Sequence, residues 1–118
     1  MKKSEQDIQS KIRLALSTYG MVFRTNSGEF WQGKERYLPE LKQTVLTNLY
    51  RVKGLPKGFS DLLFVGFDGK VAFIEVKKPG EIQKKEQINF MNQMRKYGYK
   101  AGVAKSVEDA IKIVKGEN

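Results

Sequence analysis

Two short apolar runs, Leu62 to Val65 and Val71 to Val76, flank Gly66-Phe67-Asp68-Gly69. Runs of that length bounded by Gly and Asp predict a β-hairpin. Upstream, Ile8, Ile12, Ala15, Leu16 and Tyr19 recur at helical spacing, from a Ser4 and Asp7 capping box to a stop at Gly20. Met21 to Thr25 reads as a short strand and Asn26-Ser27-Gly28 as a turn. Downstream, Pro79-Gly80 breaks the strand, and Glu81 to Tyr97 has helical periodicity through Gln87, Phe90, Met91 and Met94, ending at Gly98. Ala101 to Ala104 is a further strand, and Ser106 caps a last helix that turns Val107, Ala110, Ile111 and Val114 inward. This order predicts an α/β sandwich, a central mixed β-sheet flanked by α-helices with the hairpin in its middle.

One stretch resists the pattern. Glu29 to Leu49 carries Trp31, Tyr37 and Pro39 among Gln, Lys and Arg, which fits either a loop that stacks on nucleobases or a small subdomain that packs on itself. Thr44 to Val52 is a candidate strand that would deliver Arg51, Lys53 and Lys57 to the rim of the hairpin.

The loop length of the hairpin decides where its charges fall. With a two-residue loop, Asp68-Gly69, Asp61 would lie opposite Val76 and the carboxylates of Asp61 and Glu75 would point to opposite faces. With Phe67-Asp68-Gly69 as the loop and Gly69 left-handed, Asp61 lies opposite Glu75. Directly opposed residues have Cβ atoms roughly 4.5 to 5.5 Å apart, so one cation can touch both acids. Lys77 shares their face. Two acids at the end of an apolar face repel each other, and burial raises the cost of ionising both. A hard divalent ion, Mg2+ or Mn2+, removes that conflict while keeping waters for a phosphate and a nucleophile. Lys77 then supplies a fixed positive charge to orient the attacking water or to stabilise a phosphoryl oxygen. The plain alternative is a solvated charged strand edge, since Glu-x-Lys is a common sequence.

Composition narrows the chemistry. The 118 residues suit one domain, 1–118, and carry 22 Lys plus Arg against 13 Asp plus Glu, a net charge of +9. That excess favours a polyanionic partner such as DNA, with Arg51, Lys53, Lys57 and Lys78 as candidate phosphate contacts. There is no cysteine and no histidine, which excludes disulfides, zinc fingers and Cys or His nucleophiles. The N-terminus has no signal-peptide core and no run reaches membrane-spanning length, so an intracellular, cytoplasmic protein with no membrane partner is expected. Glu5, one turn ahead of Ile8 and in line with Ile12, projects from the buried face of the first helix near its start. From position alone it would simply complement the helix dipole.

Gly58-Phe59-Ser60-Asp61, then Glu75-Val76-Lys77 followed by Lys78-Pro79-Gly80, then a helix carrying Gln87, resembles the stand-alone VRR-NUC nucleases of phage or bacterial type, within the PD-(D/E)xK superfamily. Ser60 stands where the superfamily's name has Pro. The resemblance runs from Glu5 to about Val114 and is weakest over Glu29 to Leu49. It implies a restriction-endonuclease-like fold and metal-dependent hydrolysis of phosphodiester bonds in DNA. Asp61, Glu75 and the Val76 carbonyl would hold the metal, Glu5 would reach it from the first helix with Asp7 as second candidate, and Lys77 and Gln87 would complete the catalytic set. It further implies a homodimer, for which a four-way (Holliday) junction is a natural substrate. A flap, fork or general duplex nuclease would use the same site. A non-catalytic basic nucleic-acid-binding module would explain the charge but not the register of the two acids.

Overall fold

The computed structural model describes residues 4–25 and 29–117; the Asn26-Ser27-Gly28 turn lies outside the described residues. Its elements run α1 (Glu5–Leu16), β1 (Gly20–Arg24), β2 (Glu29–Leu38), β3 (Gln43–Lys53), β4 (Leu62–Gly66), β5 (Val71–Val76), α2 (Lys85–Lys96), β6 (Lys100–Ala104) and α3 (Val107–Lys115). Among the described residues no helix is long and apolar enough to cross a membrane.

Four strands form a sheet in the order β1-β4-β5-β6, and β2 pairs only with β3 in a separate two-stranded ribbon. The β4–β5 hairpin is therefore central. Its partners are antiparallel β1 on one side and parallel β6 on the other, the latter reached through the α2 crossover that a parallel neighbour requires. Burial follows from this placement, for β5 is covered on both faces along most of its length.

One face packs Leu62, Phe64, Ile74 and Val76 against Ile8, Ile12 and Leu16 of α1 and Ala110 and Val114 of α3. On the opposite face, Phe73 makes edge-on ring contacts with Phe59, Phe90 and Tyr99 at centroid distances of 5.8, 5.5 and 5.8 Å. Alternation along β5 puts Phe73, Glu75 and Lys77 on this second face. The aromatic cluster thus seats α2 over the strand that carries the acid.

The helix ends differ from the sequence expectation at two points. Ser4 and Asp7 do form the capping box of α1, but the helix stops at Leu16, and Tyr19 lies in the following turn under the Lys115 ammonium, 5.7 Å from its ring centroid. The second helix starts at Lys85, not Glu81, because Lys78-Pro79-Gly80-Glu81 closes a turn of its own. Gly80 has φ 88°, and the Glu81 N–H donates to the Lys78 carbonyl at 3.0 Å. Pro followed by a left-handed Gly is the signature of a type II turn.

Candidate active site

The hairpin closes on the three-residue loop. Gly66 N–H donates to the Lys70 carbonyl at 2.8 Å, Gly69 has φ 81°, and Leu62 pairs with Ile74 and Leu63 with Phe73. Continuing that register by one residue sets Asp61 across from Glu75. Asp61 is fixed from two sides. Its carbonyl accepts the Thr25 N–H at 2.9 Å, and its Oδ2 accepts the Val76 N–H at 2.9 Å. Ser60 is fully buried, with its hydroxyl donating to the Leu62 carbonyl at 3.0 Å and its carbonyl accepting the Thr25 hydroxyl. These bonds hold the turn into β4 without the rigidity a proline would add.

Glu75 is 1% exposed, and its Oε2 accepts a hydrogen bond from Gln87 Nε2 at 2.9 Å. Gln87 also accepts, through Oε1, the Lys84 N–H at 2.9 Å, so one side chain ties the start of α2 to the acid on β5. The other carboxylate oxygen, Oε1, is buried with no donor. Burial first and the charge of Asp61 second push the Glu75 carboxyl up to about 8, and a protonated Glu75 would donate to Asp61. Two carboxylates face each other there, one with an orphaned oxygen. That arrangement suits a bound cation.

Lys77 follows on the same face, 7% exposed, its backbone N–H held by the Ala104 carbonyl at 3.1 Å and its ammonium 3.9 Å from Glu81 Oε2. Glu81 is the residue that sequence reasoning missed. The Pro79-Gly80 turn folds its carboxylate back so that Oε1 accepts the Lys78 N–H at 2.7 Å. Glu81 also meets Glu5 at the start of α1. Burial, then the Glu81 charge and a side-chain hydrogen bond to it, raise the Glu5 carboxyl, and Asp61 adds to the effect while Lys77 opposes it. Glu5 therefore lies within electrostatic reach of Asp61 and Lys77. Among the described residues no three acids come together closely enough to hold one ion directly. The nearest polar partner of Glu5 is the Glu81 carboxylate. Asp7 is exposed and spent on the helix cap.

Of the candidate phosphate contacts, Lys53 and Lys57 are exposed at the end of β3 and in the loop after it. Arg51 lies on the ribbon with its guanidinium 5.3 Å over the Trp31 ring. Lys78 is exposed beside a cleft of about 840 Å³ whose lining includes Lys11, Lys78, Glu81 and Lys105. Glu108, Ile8 and Val107 also line this cleft, and Glu81, which lines it too, links it to Lys77.

A family model described as VRR-NUC domain matches residues 3–108. The chain belongs to the VRR-NUC family. It is thereby a nuclease domain of the PD-(D/E)xK type, a class that works on DNA with a divalent metal. A solved structure titled VRR_NUC domain has the same fold, with a TM-score of 0.56 and 19% identity over 94% of this chain and 94% of that one. No curated protein is similar enough to count as a match.

Gly58, first residue of the Gly-x-x-Asp stretch, shows how a backbone requirement reaches this VRR-NUC site. It has φ 93°, and a Cβ there would lie 2.5 Å from the Glu86 carbonyl oxygen. The first turn of α2, which carries Gln87, rests directly on it. Gly58→Ala combines a left-handed strain with a backbone clash, and we expect it to lower stability by about 1–3 kcal/mol. Chemical denaturation reads this loss. Cleavage should fall as well, because the turn that aims Gln87 at Glu75 is displaced.

Proposed function

We propose that this VRR-NUC domain is a structure-selective endodeoxyribonuclease, with Asp61, Glu75, Lys77 and Gln87 as its catalytic set, acting as a homodimer on four-way junction DNA. The observation that carries the reading is the register of the central hairpin, which opposes Asp61 to a buried Glu75 whose second oxygen lacks a donor, with Lys77 two residues on.

The residues fit a single hard cation, Mg2+ or Mn2+. Asp61 and Glu75 would hold it, joined by the Val76 carbonyl, which points to the side its own N–H shares with Asp61. When bound, such an ion supplies Lewis-acid stabilisation of phosphoryl charge. The chain's own groups do the rest. Gln87 keeps the Glu75 carboxylate turned toward Asp61. Lys77, held near Glu81 but buried along its stem, presents a proton-donating ammonium to a phosphoryl oxygen or to the attacking water. Lys11, Lys78 and Lys105 along the neighbouring cleft suit the flanking phosphates.

A small basic domain offers little surface for a long substrate, and two copies related by a twofold axis would set two sites against opposed strands. The test is cleavage of labelled single strands, duplex, flaps, forks and four-way junctions with Mg2+, Mn2+ or chelator, alongside sedimentation. The expected result is metal-dependent, paired cuts on opposed junction strands by a dimer. Preferential cutting of flaps, forks or duplex by a monomer would keep the nuclease and overturn the junction assignment. Tight binding with no cleavage under any metal would leave a binding module.

A further inference from the structure

The β2–β3 ribbon stands apart from the sheet. Its strands pair with each other through Trp31 and Arg51, Gln32 and Tyr50, and Lys34 and Thr47, and no helix or other strand packs substantially on them among the described residues. The molecule is correspondingly long, 56 × 33 × 31 Å with a radius of gyration of 17.2 Å, where a compact domain of about 100 residues has about 13 Å.

A β-bulge near Gly33 and Asn48, the latter with φ 53°, shifts the register between Gln32 and Lys34. As a result the ribbon has two unlike faces. One carries Gln32 and Tyr50, joined by a 3.1 Å hydrogen bond, then Lys34 across from Thr47 and Arg36 across from Val45. No Asp or Glu occupies any position of that face. The other face carries the Trp31–Arg51 stack, Tyr37, Leu46 and Leu49, all partly exposed.

We propose that the ribbon is a nucleic-acid grip: its Lys34 and Arg36 face lies along the sugar-phosphate backbone of the substrate, remote from the catalytic set. The inference rests on the nuclease reading and extends it to an element that contributes no catalytic residue. Charge complementarity supports it, because two cations unopposed by acid stand on one face with the Gln32 side-chain amide. Size supports it too. Ten residues at ~3.3 Å each give a ribbon ~33 Å long and ~10 Å wide, narrow enough for a major groove of about 12 Å. A second copy seated on one such face would cover only ~330 Å², under half of the roughly 800 Å² a stable interface takes from each partner.

The experiment measures binding of duplex and four-way junction DNA in chelator, across a range of salt, for the wild type and for the double variant Lys34→Gln/Arg36→Gln. Circular dichroism confirms folding, and Arg36→Gln alone serves if the double variant does not fold. Each phosphate contact contributes about 0.9 to the slope of log K against log salt, so the double variant should flatten the slope by about 2 and the single one by about 1. Equal slopes in wild type and variant overturn the proposal. So does a variant that binds normally but sediments as a smaller species, since the ribbon then serves a second copy. If the wild type binds no nucleic acid at all, the nuclease reading itself falls, which is a different outcome from equal slopes.

Discussion

Asp61→Asn and Lys77→Ala each lower metal-dependent cleavage by about 10²- to 10⁴-fold while leaving DNA binding in chelator near the wild-type level. The reason lies in how each side chain is held. Asp61 Oδ2 takes the Val76 N–H at 2.9 Å, a bond the amide oxygen of Asn can keep, so the hairpin end survives and only the charge is lost. Lys77 is 7% exposed, and its backbone N–H, which Ala retains, makes the bond to Ala104. Neither change removes an apolar contact of the α1/α3 core, whose β5 members are Ala72, Ile74 and Val76. Activity is read on whichever substrate the wild type cuts best, and binding by gel shift or anisotropy. Cleavage within a few-fold of wild type in both variants would remove these residues from the chemistry. Parallel loss of binding and cleavage would make them grip residues instead.

The features that position these two side chains differ in how far the sequence revealed them. The sequence left the loop at two or three residues, since Asp68-Gly69 also suits a two-residue type I′ turn; the Gly66–Lys70 bond and an Asp68 without positive φ decide for three, and every pairing down to Asp61 and Glu75 follows from that. Gln87 was legible: it shares a helical stripe with Met91 and so had to face the sheet. Glu81 was not, since helical periodicity running back from Gln87 placed it in α2, whereas it closes the Pro79-Gly80 turn that brings it to Lys77. A Pro-Gly pair followed directly by an acid was the available signal. In the ribbon, β3 was legible as Thr44 to Val52, but β2 was not, because no core buries either face and Glu29–Leu38 lacks the alternation of apolar and polar residues that marks a strand. Glu5 was placed at the right end of α1, but its pairing with Glu81 depends on that same turn.

Glu75→Gln is expected to make the metal-free protein more stable than wild type at pH 8.5 and to abolish stabilisation by Mg2+ or Mn2+. The carboxyl is raised from 4.5 to about 8, chiefly by burial and then by the Asp61 charge. A raised value means that the folded state favours the protonated acid. Its favourable contribution is therefore complete below pH 4.5, and it is lost as pH rises through about 8, where the unfolded chain carries an ionised, well-solvated Glu and the folded one must ionise beside Asp61. Metal-free wild type should lose stability on the order of a few kcal/mol across that window, whereas the glutamine variant, which keeps the neutral form and the Gln87 bond, should lose less by that amount. Comparing the two cancels the contribution of other titrating groups. A cation held between Asp61 and Glu75 would replace the proton, so on this reading wild type should regain stability with metal at pH 8.5 more than at pH 5.5, and metal binding near pH 7 should release about one proton. Thermal denaturation with and without chelator at both pH values, and calorimetry in buffers of different ionisation enthalpy, measure these quantities. A variant less stable than wild type at pH 8.5, or one still stabilised by metal, would mean that Glu75 is satisfied within the fold and that the two acids do not share an ion.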